Sequence, residues 1–75
     1  MSLLELKNGQ KFKILKVNLK GEIGKRLADM GFINGAKAEI VRSALLGDPI
    51  EIKLIDCHIS IRKSEAAGIE IQEIA

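Results

Sequence analysis

Along most of this 75-residue chain apolar side chains recur at every second position, and over one stretch only do they recur at helical spacing. Ile50, Ile52 and Leu54 alternate with Glu51 and Lys53, Ile59 and Ile61 with Ser60 and Arg62, and Ala38 and Ile40 with Lys37 and Glu39. Successive side chains of a strand point to opposite faces, so each run predicts a strand with one face in a core and one in water. Phe12 and Ile14 open another such run, but Leu15 and Val17 continue it one residue out of phase. A strand whose apolar face switches midway predicts a bulge or a strong bend. Ile69 and Ile71 begin a last strand.

The exception spans Glu22 to Met30. Ile23, Leu27 and Met30, with Leu19 one turn earlier, form a single stripe at helical spacing and are expected to face the core. Gly31 follows as the residue that stops the helix in a left-handed conformation. Gly24 inside the helix costs about 1 kcal/mol relative to Ala, which predicts a close approach to another backbone there. The segments between elements carry turn chemistry: Lys7-Asn8-Gly9-Gln10, Phe32-Ile33-Asn34-Gly35, the loop Ser43 to Asp48 ending at Pro49, and the tight connection Asp56-Cys57. Ser64 to Ala67 is expected to make one helical turn before Gly68.

Five strands and one helix in so short a chain make one domain, residues 1–75, since a second core would leave neither half enough apolar area. An open sheet this small would expose long edges, so the expected fold is mainly β, a small barrel of about five strands with one short inserted α-helix. The apolar fraction, 47%, suits a folded chain, but Phe12 and Phe32 are the only aromatics. Base stacking on aromatic platforms and aromatic-lined grooves for proline-rich peptides both lack their tools. The net charge of +2 implies no polyanionic partner, although residues 1–37 hold eight Lys/Arg against three Asp/Glu and residues 38–75 hold four against seven. Cys57 is the only cysteine, which excludes an internal disulfide and fits a reducing compartment. No signal-peptide pattern and no long apolar run is visible, so a cytoplasmic location is expected.

The residues able to do chemistry are few. Cys57 and His58 are the only pair of soft ligands, but neighbours on a strand face opposite ways and no second Cys or His completes a tetrahedral site. The reading is therefore no metal site, no catalytic residue, no cofactor and no enzyme. Gly21-Glu22-Ile23-Gly24-Lys25-Arg26 lacks the spacing of a phosphate-binding loop, so its glycines are read as structural. The informative surface is Ala44-Leu45-Leu46-Gly47-Asp48-Pro49. Either one of the two leucines caps the open end of the barrel, or the pair stands exposed beside Asp48 as a protein-contact point. Arg26 is the second candidate, either anchored on Asp29 or Glu65 or free for a partner. The expected partner-binding residues are thus Arg26, Leu45, Leu46 and Asp48. A different class, nucleic-acid binding through Lys11, Lys13, Lys16, Lys20 and Lys25, would reveal itself by steep salt dependence.

Taken in order, Leu6-Lys7-Asn8-Gly9, Arg26-Leu27-Ala28-Asp29-Met30-Gly31-Phe32 with Gly35, Gly47-Asp48-Pro49-Ile50, and Ile59-Ser60-Ile61-Arg62-Lys63-Ser64-Glu65-Ala66 with Ile69 and Ile71 resemble the FeoA family over nearly the whole chain. The resemblance implies an SH3-like barrel with an inserted helix. It implies a cytosolic accessory role in ferrous-iron uptake, with the GTPase domain of the FeoB membrane transporter as partner and the membrane met only through it. The same domain ends some iron-dependent repressors; with no helix-turn-helix ahead of it, the stand-alone form is expected, and a metal-sensing regulatory domain is the third reading. Two positions depart from the family pattern. Asn34 stands where Pro is usual, and Asp56-Cys57 where Gly and often an aromatic are usual, so Asp56 is expected to carry a costly positive φ.

Overall fold

The alternating runs form the strands of one antiparallel sheet in the computed structural model, which describes residues 1–74. They are β1 (Lys11–Val17), β2 (Lys37–Arg42), β3 (Ile50–Lys53), β4 (His58–Ile61) and β5 (Ile69–Ile74), with helices α1 (Gly21–Asp29) and α2 (Lys63–Ala66). The strand order is β4-β3-β2-β1-β5, a four-strand meander with the last strand returned beside the first. Phe12, Ile14, Ile40, Ile50, Ile52, Ile59, Ile61, Ile69 and Ile71 all turn inward and share one core with Leu27 and Phe32. The two edge strands, β4 and β5, contribute to that same core and are joined through α2. Among the described residues no ladder links them, so the barrel stays open along one seam.

The reversal of parity in β1 is a bulge. Its register against β5 shifts between Ile14 and Lys16, leaving Leu15 as the extra residue. A second shift, between Ile40 and Arg42, does the same at Val41 on β2. Each bends its strand and so curls the sheet.

Helix α1 ends as expected and packs less fully than expected. Gly31, at φ +90°, terminates it, with the Phe32 N–H on the Leu27 carbonyl at 2.9 Å and the Gly31 N–H on Ala28 at 3.0 Å. Those are the two bonds of a Schellman motif, and Leu27 and Phe32 supply its apolar contact. Leu27 is buried, while Leu19 and Ile23 pack against the core from its margin. Met30, expected on the core stripe, is 38% exposed. The helix proper stops at Asp29, and Met30, its C-cap, stands one turn beyond Leu27, at the end of the stripe where the core no longer covers it. Gly24 has the close neighbour its cost implied: a Cβ there would collide with the Leu19 carbonyl oxygen and lie 3.1 Å from its carbon.

The N-terminal leucines form an element that the alternation did not predict, a 3₁₀ turn over Leu3–Glu5. Ser2 Oγ accepts from the Leu4 N–H at 3.1 Å and the Glu5 carboxylate from the Ser2 N–H at 2.8 Å, a reciprocal cap. This turn buries Leu3 and Leu6. It also lays Met1 along the outer edge of β5, where its carbonyl accepts the Ile71 N–H at 2.8 Å.

Candidate functional site

The loop from Ser43 to Pro49 leaves the sheet with its first two residues inward. Ser43 is 2% exposed, and its N–H donates to Asn8 Oδ1 at 2.6 Å. Ala44 is buried beside it, so the core places here are taken by small residues. The chain then turns back, with the Leu46 N–H on the Ser43 carbonyl at 3.1 Å. Leu45 and Leu46 consequently project outward, 68% and 66% exposed. Neither caps the barrel. Two large apolar side chains stand in water side by side, which on so small a surface is a feature to explain.

Downstream, Asp48 reaches the start of α2, its Oδ1 accepting the Lys63 N–H at 3.1 Å. Glu65 turns back within α2, its Oε1 accepting the Arg62 N–H at 3.0 Å. These two carboxylates and the side chains of Arg26, Pro49, Ser60 and Arg62 line one cleft of about 330 Å³. Arg26 reaches it from within α1, and also borders a second cleft beside Glu22 and Ile23. The anchoring of Arg26 on Asp29 or Glu65 does not occur. Among the described residues the one ion pair is Arg42–Glu51, at 3.8 Å on the surface. The cleft therefore holds two guanidinium groups without carboxylate partners, while its acids are already engaged by backbone N–H groups. Such a site suits a carboxylate or another planar anion, which a guanidinium fork receives in two parallel bonds.

Of the four residues singled out in the sequence, the structure brings Arg26 and Asp48 into this cleft. It places Leu45 and Leu46 on the loop leading into it. Sequence reasoning missed Ser60 and Arg62, and the signal was present. The β3–β4 hairpin pairs Ile50 with Ile61 and Lys53 with His58, so counting outward from its tip sets Arg62 beside Pro49 and Lys63 beside Asp48.

The other candidates fall elsewhere. Cys57 is half-buried at the β3–β4 tip, its Sγ 3.7 Å from the Met30 carbonyl, and His58 is exposed at the start of β4. No cluster of three or more His, Cys, Asp or Glu able to hold a metal exists among the described residues. Asp56 does not carry a positive φ, which among the described residues is confined to glycines, so the tip turns without that strain. Lys11 lies opposite Glu39, and Lys16 opposite Glu70. Opposed residues share a face, so acids stand beside two of the five lysines, whereas Lys13 lies opposite Lys37.

A model of the FeoA domain matches residues 1–73 of the chain. A Fe(2+) transport protein A/Fe(2+) transporter FeoB fusion protein of Porphyromonas gingivalis is 36% identical over all 75 residues, which span only 9% of that protein's length. Among solved structures, the FeoA protein of Chlorobium tepidum superposes with a TM-score of 0.91 at 37% identity, covering 100% of this chain and 71% of that one. Stenotrophomonas maltophilia FeoA, a prokaryotic SH3 domain protein crystallised with zinc, gives a TM-score of 0.81 at 25% identity over 96% of this chain and 89% of that one.

Proposed function

The chain belongs to the FeoA domain family, which is associated with ferrous iron transport, and on that ground we propose that it docks on the cytosolic GTPase domain of a FeoB-type transporter to support or regulate uptake. One observation carries this reading: in Porphyromonas gingivalis a relative of the entire chain and a FeoB transporter share a single polypeptide. Joining two modules covalently raises their local concentration to the millimolar range, which is useful where the two act on each other. In this reading the domain works on the cytosolic side and meets the membrane through its partner. No helix among the described residues is long and apolar enough to cross one.

The docking face is the Leu45–Pro49 loop with the Arg26–Arg62 cleft. Leu45 and Leu46 offer apolar area whose burial on a partner is worth about 1.5–3 kcal/mol per side chain. The cleft beside them receives an acidic side chain, giving the contact its orientation. The domain thereby contributes a surface, and the nucleotide chemistry belongs to the partner.

Calorimetric titration against the transporter's cytosolic GTPase domain, in nucleotide-free, GDP and GTP-analogue states, tests this. Leu46→Asp is expected to weaken binding at least tenfold, since losing the burial of one leucine is worth about one to two factors of ten. Equal binding by wild type and variant rejects the loop as the contact. Absence of binding in every nucleotide state rejects the direct partnership.

A further inference from the structure

The opposite end of β3 presents a second apolar surface that the docking face does not use. The chain leaves β3 through Leu54, buried, and Ile55, 90% exposed at the hairpin tip. Ile55 forms a ridge between two grooves. One, of about 230 Å³, is walled by Ala38, Leu54, Ile55 and Ile74 and rimmed by Lys11, Lys37, Lys53 and Glu39. The other, of about 180 Å³, is lined by Met30, Ala36, Leu54, Ile55 and Cys57, with Lys37 and Asp56 at its edge. Nothing in the fold requires an isoleucine at this tip, because its side chain touches water on almost every side. The apolar floors are formed by residues that the core has already positioned, so both grooves exist before anything binds.

We propose that this end of the sheet is a docking site for a protein segment that carries a large apolar side chain flanked by acidic residues. Charge selects the occupant: three lysines stand on the rim of the larger groove against the single carboxylate of Glu39. A second copy meeting this end through the same face would set those lysines against their own kind. A lipid surface would engage the ridge alone and leave both grooves unfilled, and one inserted isoleucine is a weak anchor. A Leu or Phe from an acidic segment fills a groove, covers Ile55 and places carboxylates on Lys11, Lys37 and Lys53.

The test follows amide resonances of the ¹⁵N-labelled full chain during titration with three capped twelve-residue peptides. The first holds Leu and Phe flanked by glutamates, the second the same pair flanked by lysines, and the third replaces the apolar pair with serines. The glutamate peptide is expected to shift Met30, Lys37 and Leu54 through Cys57, and to bind at least fivefold more tightly than either control. Ile55→Ser, which alters an exposed side chain and leaves the spectrum folded, is expected to weaken it at least fivefold, whereas Leu46→Asp leaves it unchanged. No shifts up to millimolar peptide, or equal response to the lysine peptide, overturns the proposal. So do concentration-dependent shifts at Ile55 without peptide, which would assign the surface to a second copy. Flotation with phosphatidylserine vesicles that is lost in Ile55→Ser would assign it to lipid, and likewise overturns it. None of these results depends on whether the transporter domain binds at the other end.

Discussion

Replacing the helical glycine by alanine, Gly24→Ala, sets two effects of opposite sign against each other. Helix propensity alone favours the change by about 1 kcal/mol, because Gly24 lies within α1, between Gly21 and Asp29. Packing opposes it. The new Cβ would fall well inside contact distance of the Leu19 carbonyl oxygen, 3.1 Å from its carbon and 3.8 Å from the Leu19 Cβ. Restoring ordinary contact requires the helix and the Leu19 backbone to part by roughly 1 Å, and both are held. The Asn18 N–H is bonded to the Gly68 carbonyl at 2.7 Å, and Leu27 anchors the helix in the core. Forcing atoms into a closed contact of this kind typically costs about 1–3 kcal/mol, and a backbone oxygen that cannot rotate away belongs at the upper end. The net expectation is a loss of about 1–2 kcal/mol, which in a domain this size lowers Tm by roughly 4–16 °C. Thermal and urea unfolding followed by circular dichroism measures it. Ala28→Gly on the exposed side of the same helix calibrates propensity alone, at about 1 kcal/mol in the destabilising direction. If Gly24→Ala raises Tm, the close approach of α1 to Leu19 is wrong.

Asn8→Ala removes the acceptor of the buried Ser43 N–H and is expected to cost about 1–3 kcal/mol. Hydrogen exchange should show the Ser43 amide losing its protection, and unchanged protection would mean that another group holds the loop. Ile52→Ala truncates a fully buried residue on β3, a strand paired on both sides, at a cost of about 2–5 kcal/mol. A single core this small rarely supplies more than about 3–5 kcal/mol, so the variant should lose most of its stability and unfold at a far lower urea concentration by circular dichroism. A cooperative urea transition near the wild-type midpoint would contradict that. Leu46→Asp and Ile55→Ser should each change stability by less than about 0.5 kcal/mol and add in the double variant. Their sites flank the Pro49-to-Leu54 stretch, roughly 16 Å at strand rise. Non-additive urea midpoints would show that the two ends are coupled, the shortest route being the end of α1 from Arg26 in one cleft to its C-cap Met30 in the other.

The strands were legible because each has one wet and one dry face, and a period of two leaves no other assignment for Ile50, Ile52 and Leu54. The bulge at Leu15 was legible for the same reason, since a phase slip in the pattern has to be a slip in the ladder. The left-handed turn at Gly31 and the tight packing at Gly24 followed from what glycine costs anywhere else. Met30 was not legible, because periodicity says which face a residue lies on but not how far along the helix the core extends to cover it. The 3₁₀ turn of Leu3–Glu5 is too short to show a period at all.

The fate of Leu45 and Leu46 depended on competition for space, which no local pattern encodes. Ser43 and Ala44 are small, and the first turn of the loop draws them into the end of the core. Once Ala44 is buried and the Ser43 N–H is bonded to Asn8, the turn closed by the Leu46 N–H on the Ser43 carbonyl carries the leucines away from the interior. The buried residues already form one cluster, and forcing another leucine into a packed core typically costs about 1–3 kcal/mol. Ile55 is outside for a different reason. A short hairpin tip has no neighbouring strand to cover its side chains, and the pairing of Lys53 with His58 fixes which residues form that tip. Folding thus exposes apolar side chains at both ends of β3 as a consequence of register and volume. It does not determine their chemical identity, since serine at either place would fit the same backbone. Large apolar residues at positions where the fold tolerates polar ones are therefore what supports the two proposed contacts. They stand beside the unpaired guanidiniums of Arg26 and Arg62 at one end, and among Lys11, Lys37 and Lys53 at the other.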